Sequence, residues 1–305
     1  MKLPDPRNTN ILIYINGVLL PREEAKISVF DSAVQGGDAV WEGLRVYKGR
    51  VADLDNHLIR LQNSAKALAF KSIPSSDDIR KAIFLTLEAN GMWDETHIRL
   101  TLTRGEKITS GMNPKLNQLG CTLIVLAEWK PPVYSNSGIK VITSSIRRNS
   151  PQHLDSKIHH NNLLNNILAT IEANTAKVDS AVMLDVNGFI SETNDTNIFL
   201  VRDNQILTPT TDSCLPGLTR KMILELATQE GITTHEKNLS NTDLYSADEV
   251  FTSGTMGEIT PILEADGRKI GDGKAGAMTK RIQKLHAKYA YSNGEPVPFK
   301  KPQKR

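Results

Sequence analysis

The sequence predicts an α+β fold, and two features of the chain indicate it. Apolar segments of strand length occur mostly in pairs joined by short glycine-containing turns, as in antiparallel hairpins. Amphipathic segments with a helical repeat are interspersed among these pairs, but they do not alternate one for one with single strands. A doubly wound sheet would require that regular alternation. The chain is therefore predicted to be α+β.

Two hairpins and two helices are predicted in the first part of the chain. Each hairpin has two short apolar segments around a turn: residues 11–14 and 18–20 around Asn16-Gly17, and residues 43–47 and 50–52 around Lys48-Gly49. Each helix has apolar residues at helical spacing: Leu58, Leu61, Ala65 and Leu68 in residues 57–69, and Ile79, Ile83 and Leu87 in residues 76–89. Gly91 is placed to cap the second helix. Strands at residues 97–103 and 121–128 complete this part.

A turn-rich segment divides the chain. Residues 130–138 contain two adjacent prolines and end in Ser-Asn-Ser-Gly, a composition typical of an interdomain linker. We expect a small α+β domain over residues 1–129 and a larger domain over residues 139–291. Residues 292–305 are polar and basic, which predicts a disordered tail.

The larger part again mixes strands and helices. Strands are predicted at residues 139–143, 181–185, 197–202, 205–208 and 249–251. Helices are predicted from residue 163, at residues 218–230 and at residues 275–291. Residues 271–276 match GxGxxG, but the chain ends before a βαβ unit could follow. We interpret that match as a turn and a helix start.

The composition is that of an ordinary globular protein. Of 305 residues, 39% are hydrophobic and 23% are charged, and 37 basic against 34 acidic residues give a net charge of +3, too small to indicate a nucleic-acid surface. No apolar run has the length of a membrane span. Cys121 and Cys214 lack metal-ligand spacing, and the adjacent His159 and His160 cannot share one helix face. We expect a cytoplasmic protein with unpaired thiols and with no metal, membrane or nucleic-acid partner.

Lys157 lies in a polar segment that leads into an apolar helix. At the mouth of a helix a lysine is a candidate for desolvation, which favours the neutral amine, and a neutral amine can form a Schiff base with an aldehyde. Most lysines are solvated surface charges, so Lys157 alone gives a weak indication.

Five further residues have the chemistry of a cofactor site. The amide of Leu218 and the hydroxyl of Thr219 open a helix, where free N–H groups attract an anion, and Thr255 follows a strand on a glycine turn. Arg60 could bind a phosphate with two N–H groups. Glu192 precedes an apolar strand and, if buried, needs a cationic partner. Individually, an ordinary helix cap, an ordinary turn and a surface arginine are the favoured explanations of the first four, and for Glu192 a solvated loop acid is an equal alternative.

Taken together and in order, these residues resemble the fold-type IV family of pyridoxal-phosphate enzymes, which contains branched-chain and D-amino-acid aminotransferases and aminodeoxychorismate lyase. The resemblance extends over residues 11–285 and is densest at Lys157 and at residues 185–192, 215–220 and 253–261. It implies a two-lobed α+β fold, with a small α/β N-terminal domain and a larger pseudo-barrel C-terminal domain, and a homodimer.

The resemblance assigns these residues to one cofactor, pyridoxal 5'-phosphate (PLP). Lys157 would hold PLP covalently and act as the base at the substrate Cα, and Glu192 would pair with the protonated pyridine nitrogen. Further cofactor contacts are implied for Arg60, the Leu218 amide, Thr219, Thr255 and Asn162, the last at a position where the family usually has a tyrosine.

The implied substrate pocket departs from the branched-chain pattern. His97-Ile98-Arg99 stands where those enzymes have Tyr-x-Arg, Gly36 replaces an aromatic residue, and Met256 stands where a small residue is common. Arg99 is expected to bind a substrate carboxylate. The other implied pocket residues are His97, Gly36, Trp41, Arg45, Met256 and Gly257, with His160 and Asn162 beside Lys157 as further candidates for an unusual substrate choice.

The expected function is transamination between an amino acid and a 2-oxo acid by a ping-pong mechanism, similar to branched-chain aminotransferases but with an atypical pocket. The alternatives are a D-amino-acid aminotransferase, a PLP lyase similar to aminodeoxychorismate lyase, and a non-catalytic relative that binds a ligand. Lys157, Glu192 and Arg60 together argue against the last alternative, since binding alone requires neither an amine nor a buried acid.

Overall fold

The computed structural model describes residues 3–301, and contacts within the chain divide it into two compact units. The first unit comprises the described parts of Met1–Pro131, Ile158–Asn162 and Ala290–Arg305, and the second comprises Pro132–Lys157 and Leu163–Tyr289. The chain thus passes from the second unit to the first directly after Lys157. The domain division predicted from the sequence remains a prediction, with the difference that residues 158–162 group with the N-terminal unit.

Strands and helices occur in both units. The strands of the first unit are β1 (Leu12–Ile15), β2 (Val18–Pro21), β3 (Ala39–Tyr47), β4 (Arg50–Val51), β5 (Thr96–Thr103) and β6 (Thr122–Trp129). Those of the second unit are β7 (Ile139–Thr143), β8 (Ser180–Leu184), β9 (Ile190–Thr193), β10 (Asn197–Arg202), β11 (Gln205–Thr208), β12 (Thr234–Glu236), β13 (Glu249–Gly254), β14 (Glu258–Ala265) and β15 (Arg268–Lys269), and β16 (Glu295–Pro296) belongs to the first unit again. The helices are α1 (Ser32–Gly36), α2 (Leu54–Ala67), α3 (Ser76–Asn90), α4 (Leu164–Ala176), α5 (Leu218–Gln229), α6 (Asn241–Tyr245) and α7 (Ala277–Ser292), with short 3-10 helices at Pro6–Asn10 and Pro114–Leu116.

The first unit is built on a seven-stranded antiparallel sheet in the order β16-β4-β3-β5-β6-β1-β2. The predicted first hairpin is confirmed: β1 pairs with β2, and Asn16 and Gly17 both have the positive φ (45° and 95°) that a two-residue hairpin turn requires. One core contains the inner face of this sheet together with the predicted helix faces, and its members on α2 and α3 are Leu54, Leu58, Leu61, Ala65, Ile79, Ala82, Ile83 and Leu87.

Strand β3 is longer than the sequence predicts. The prediction began at residue 43, but pairing with β5 extends back to Ala39, which lies opposite Thr103. The short helix α1 was not predicted, and it begins where the Asp31 side chain accepts a hydrogen bond from the Ala33 N–H (2.8 Å). These additions place Trp41 and Glu42 within the central strands of the sheet.

The predicted disordered tail differs from the structure over its described part. Glu295 and Pro296 pair with β4, and Val297 is buried in the core of the first unit. Apolar side chains in an otherwise polar segment explain this, because burying Val297 offsets the entropy of ordering the strand. Residues 302–305, also assigned to the tail, lie outside the described residues.

The second unit is a nine-stranded mixed sheet, in the order β12-β11-β10-β13-β14-β7-β8-β9 with β15 beside β14. The pairs β11·β12, β14·β7 and β7·β8 are parallel, and the others are antiparallel. A tight turn, in which the Thr193 N–H donates to the Thr196 carbonyl (2.8 Å), leads from β9 into β10, so the sheet curls as a half-barrel. Two sheets with interspersed helices confirm the α+β class.

No helix in the described range of residues 3–301 combines the length and the apolar character needed to cross a membrane.

Candidate active site

Lys157 lies in the irregular segment between β7 and α4. Its backbone N–H donates to Asp155 Oδ1 (3.0 Å), and its Nζ lies 3.5 Å from the same oxygen and 3.3 Å from the Asp212 carbonyl. The expectation of a desolvated lysine at a helix mouth is wrong, because the side chain is 41% exposed and α4 begins only at Leu164. Residues 158–162 join the first unit before the helix can start. The amine is therefore accessible to a ligand.

Glu192 lies on β9 and is buried, with 5% exposure. Its Oε1 accepts a hydrogen bond from Arg148 Nε (2.6 Å), and its Oε2 lies 3.3 Å from Asn197 Nδ2. Burial raises the pKa of the Glu192 carboxyl, and the charge and hydrogen bond of Arg148 oppose that rise. A carboxyl with a raised pKa is suited to share a proton with a ring nitrogen.

Arg148 is a functional candidate that the sequence analysis missed. It is 6% exposed, and its Nη1 donates to Asn165 Oδ1 (3.0 Å) in addition to the bond with Glu192. The sequence did indicate that a buried Glu192 needs a cation. It did not indicate which of the 37 basic residues supplies the charge.

Residues 212–215 connect the predicted lysine to the predicted acid. The carbonyl of Asp212 accepts from Lys157 Nζ, and the N–H of Leu215 donates to Glu192 Oε1 (3.4 Å). The Ser191 hydroxyl also donates to the Ser213 carbonyl (2.9 Å). This short segment, three residues before α5, thus brings Lys157 and Glu192 into one neighbourhood.

Helix α5 begins at Leu218 with an N-terminus that no side chain caps. Gly217 precedes it, and a Cβ at that position would lie 2.0 Å from Asn197 Oδ1, so any larger residue would have to displace the Asn197 side chain. The first-turn N–H groups, which include those of Leu218 and Thr219, lie at the positive end of the helix dipole. The start of α5 therefore has the donors and the field of an anion site.

A second feature of anion-binding character lies at the end of β13. Ser253 is 1% exposed, and its Oγ has no hydrogen-bond partner within residues 3–301. A Cβ at Gly254 or Gly257 would lie 3.1 or 3.0 Å from the Thr196 methyl group, so a side chain at either position would press on Thr196. A buried hydroxyl without a partner costs free energy, and a ligand oxygen would remove that cost.

The turn that carries Met256 is held by the segment predicted to be the linker. The Met256 carbonyl accepts from the Val133 N–H (2.9 Å), and the Tyr134 hydroxyl lies 2.8 and 2.7 Å from the two carboxylate oxygens of Asp195. Tyr134 also contacts the Gly257 position, 3.5 Å from an added Cβ. These contacts fix the backbone on which the predicted pocket residues Met256 and Gly257 lie.

Arg60, on α2, belongs to a buried cluster around Glu42. The Glu42 side chain has 0% exposure and accepts from Arg60 Nε (2.8 Å) and Nη2 (2.7 Å), while His57 Nδ1 and His159 Nδ1 lie 2.7 and 3.1 Å from its oxygens. Burial by itself would raise the pKa of Glu42, but the charge of Arg60 and the hydrogen bonds from Arg60 and His159 hold that pKa well below its usual range. Burial lowers the pKa of His159 to about 4, so this imidazole is neutral at pH 7.

Four predicted pocket residues lie on one face of β3 and β5. Arg45 on β3 lies directly opposite His97 on β5. Two residues further along β5, Arg99 lies opposite Gly43 of β3 and therefore on the same face of the sheet. The guanidinium carbon of Arg99 lies 3.5 Å from the centroid of the Trp41 ring. Trp41 and Arg99 also contact the segment that follows Lys157: Trp41 Nε1 donates to the His160 carbonyl (3.1 Å), and Arg99 Nη2 donates to Asn161 Oδ1 (2.6 Å).

The pair Arg45 and His97 presents unused polar atoms. Arg45 is 4% exposed and His97 is 8% exposed, and neither Arg45 Nε nor His97 Nε2 has a hydrogen-bond partner in the described part of the chain. Burial lowers the pKa of His97 to about 3, with the nearby charges of Lys130, Arg45 and Arg99 acting in the same direction. Burial lowers the pKa of Arg99 to about 10, so it stays protonated at pH 7. This face is cationic.

Two further departures from the family pattern, Gly36 and Asn162, both belong to the first unit. Gly36 is the exposed last residue of α1, and the αL residue Gly37 (φ 66°) brings a would-be Cβ within 3.6 Å of the Asn162 Cα. Asn162 itself is exposed, while His160 is 5% exposed and bridges to Val40 of β3.

The predicted site residues divide between the two units. The second unit contains Lys157, Glu192, Leu218, Thr219, Thr255, Met256 and Gly257, and the first contains Arg60, Asn162, Gly36, Trp41, Arg45, His97 and Arg99. Within each unit, hydrogen bonds, ring contacts or strand pairing connect several of these residues. Their roles remain predictions.

The family model for amino-transferase class IV matches residues 39–265 of this sequence, and the chain belongs to that family. "Branched-chain-amino-acid aminotransferase-like protein 2" of Arabidopsis thaliana is 58% identical over 297 residues, which cover 97% of this chain and 53% of that protein. The chain thus spans about half the length of this relative.

Solved structures give the same family. The crystal structure of the branched-chain amino acid aminotransferase of Escherichia coli superposes with a TM-score of 0.88 at 33% identity, covering 94% of this chain and 96% of that one. A second branched-chain amino acid aminotransferase, solved with pyridoxamine 5'-phosphate, has a TM-score of 0.87 at 32% identity, covering 92% of this chain and 94% of that one. The resemblance to fold-type IV enzymes is confirmed.

Proposed function

We propose that this chain is a PLP-dependent aminotransferase that exchanges an amino group between an amino acid and a 2-oxo acid in a ping-pong reaction. The observation that carries the proposal is the segment 212–215, which contacts both the accessible Lys157 amine and the buried Glu192 carboxyl a few residues before the anion-binding start of α5. An amine, an acid and an anion site are what an aldehyde, a pyridine nitrogen and a phosphate require. The structural relative that holds pyridoxamine 5'-phosphate supports the same cofactor.

The residues present fit PLP. The uncapped first turn at Leu218 and Thr219 suits the phosphate, and the unpartnered hydroxyl of Ser253 adds a donor near Thr255. Glu192 suits the ring nitrogen, since its raised pKa matches a shared proton. Arg60 would contribute a guanidinium whose orientation Glu42 fixes, and Asn162 would contribute an amide.

Each residue has a defined task in this mechanism. When bound, PLP supplies a conjugated ring that accepts the electron pair left at the substrate Cα. Lys157 Nζ would hold the cofactor covalently and, as a free amine, would take up the substrate Cα proton as a general base. Glu192 would hold a proton at the ring nitrogen, and Arg148 keeps the Glu192 carboxyl in place.

The substrate pocket is expected to differ from that of typical branched-chain aminotransferases. Arg99 would bind a substrate carboxylate with the guanidinium that lies against Trp41. His97 offers an imidazole nitrogen where a tyrosine is usual, and Arg45 opposite it offers an N–H. Met256 would present a bulky, flexible side chain where a small residue is common. Gly36 and Asn162 stand at two further positions where the family usually has an aromatic side chain. His160 and Gly257 are the remaining residues proposed for this pocket.

We propose a homodimer in the cytoplasm. Leu164, Ile167, Leu168 and Ile171 of α4 recur at one-turn spacing and are each 48–66% exposed, an apolar stripe that a second copy would cover. Both cysteines are unpaired, which suits a reducing compartment.

A half-reaction screen tests the function. The purified chain with PLP should develop a visible absorbance band that Lys157→Ala abolishes and Lys140→Ala, on the exposed end of β7, preserves. L-amino acids, D-amino acids and amines are then tested for loss of that band. Loss with an L-amino acid and recovery with a 2-oxo acid is the expected result.

The other outcomes identify the alternatives. Turnover of D-amino acids alone would assign a D-amino-acid aminotransferase. Product release without any 2-oxo acid and without pyridoxamine phosphate would assign a lyase. A band that is absent, or that survives Lys157→Ala, would overturn the catalytic proposal and favour a ligand-binding relative.

A further inference from the structure

Glu42 is shared by three basic side chains of the first unit. Its Oε1 faces Arg60 Nε and His159 Nδ1, and its Oε2 faces Arg60 Nη2 and His57 Nδ1. Each oxygen thus has one guanidinium N–H and one imidazole nitrogen. With the Glu42 side chain at 0% exposure, water does not replace any of these partners.

His159 does not need its side chain to stay in place. Its backbone N–H donates to Ser64 Oγ (3.1 Å), and its carbonyl accepts from the Trp41 N–H (2.9 Å). The imidazole packs against the Trp41 ring with centroids 4.2 Å apart. The Nδ1 contact with Glu42 is therefore an interaction additional to those that hold this segment on β3.

The charges around His159 define how it interacts. Glu42, Arg60 and Arg99 face the imidazole, and burial keeps it neutral at pH 7. An ionised carboxylate only accepts hydrogen bonds, so the neutral ring must carry its proton on Nδ1 and donate it to Glu42. The neutral ring adds no positive charge beside Arg60. It supplies the second hydrogen-bond donor to Glu42 Oε1, the oxygen that also accepts from Arg60 Nε.

We propose that His159 is a positioning residue for the cofactor phosphate, acting through Glu42 on the guanidinium plane of Arg60. This inference rests on the proposed function, in which Arg60 binds the phosphate of PLP. The two bonds from Arg60 to Glu42 set the orientation of its guanidinium plane, and both bonds require the Glu42 oxygens to stay in place. Without the His159 donor, Oε1 loses half of its partners, and a buried carboxylate that lacks donors rotates or takes up a proton.

A pair of substitutions separates the parts of this side chain. His159→Phe keeps the ring against Trp41 and removes both nitrogens, whereas His159→Asn keeps an N–H near the position of Nδ1 and removes the ring. PLP and pyridoxal, which lacks the phosphate, are titrated against each folded variant, with circular dichroism as the control for folding. If His159→Phe does not fold, His159→Gln replaces it, because its amide reaches the position of Nε2 instead.

The expected result is specific to the phosphate. His159→Phe or His159→Gln should weaken PLP binding on the order of tenfold, the effect of one hydrogen bond to a charged group, and leave pyridoxal binding unchanged. His159→Asn should bind PLP like the wild type. Wild-type PLP affinity in His159→Phe, equal losses in His159→Phe and His159→Asn, or equal losses for PLP and pyridoxal would overturn the inference. A wild-type chain that fails to bind PLP would instead overturn the proposed function.

Discussion

Arg148 Nε lies 2.6 Å from Glu192 Oε1, and both side chains are 7% exposed. Removing the cation from such a pair leaves a buried carboxylate without compensation. Arg148→Met should therefore lower the free energy of unfolding by about 3–5 kcal/mol in denaturant titrations and weaken PLP binding. The exposed neighbour Arg147 provides the matched control, and Arg147→Met should change stability by less than about 0.5 kcal/mol.

The same pair permits a second comparison. If the uncompensated charge is the cause, Arg148→Met combined with Glu192→Gln should recover much of the lost stability, because the buried charge is gone. Transamination should stay low in the double variant, since the acid for the ring nitrogen is missing. A double variant no more stable than Arg148→Met would contradict this explanation.

Stability should fall on acidification. The pKa values of His97 and His159 are lowered to about 3 and about 4 in the folded chain, against 6.5 for an ordinary histidine. Below pH 6.5 the two histidines become protonated in the unfolded state but stay neutral in the folded state. Their contribution to stability is therefore fully present above that pH and is lost as the pH falls toward 4. When the pH is lowered from 7 to 5, protonation of each histidine in the unfolded state should reduce the free energy of unfolding by about 2 kcal/mol.

The measurement is the pH dependence of denaturant unfolding. His97→Gln should reduce the slope by the share of one histidine. An unaltered slope in His97→Gln would show that His97 binds a proton as readily in the folded chain as in the unfolded chain, and would contradict the lowered pKa.

Gly217→Ala should disturb the cofactor site through Asn197. The new Cβ would lie 2.0 Å from Asn197 Oδ1, and the Asn197 amide donates to the Leu215 carbonyl (2.9 Å) and lies 3.3 Å from Glu192 Oε2. We expect a loss of about 1–3 kcal/mol of stability and weaker PLP binding. Gly36→Ala is the control for stability, because its Cβ would meet nothing within 4 Å. Equal behaviour of the two variants would exclude the steric argument.

The apolar stripe of α4 predicts the oligomeric state. Ile167→Glu should convert a dimer to a monomer in sedimentation experiments, because a charge would have to be buried in the interface. Leu85→Glu, at an exposed position of α3 (45%), should leave the dimer intact. A dimer that survives Ile167→Glu would show that α4 is not its interface.

Much of the fold could be predicted because the relevant signals are local. Asn16-Gly17 specifies a hairpin within four residues, and the apolar spacing in α2 and α3 specifies which helix face is buried. The start of β3 and the strand β16 escaped prediction, because both depend on pairing with distant strands. Glu295 meets Val51 across the sheet, a contact that no local pattern near either residue indicates.

The sequence by itself predicted the ordered set of Lys157, Glu192 and the start of α5 as an amine, an acid and an anion site, because their order along the chain resembles that of fold-type IV enzymes, although each residue alone is a weak signal. Tertiary structure alone decided what surrounds them. Arg148 reaches Glu192 across 44 positions, and His159 reaches Glu42 across 117. Glu42 and Glu192 are buried, and a buried carboxylate without a hydrogen-bond donor or a cation is costly in free energy. The side chains that supply these donors lie far away in the sequence and come near only in the folded chain.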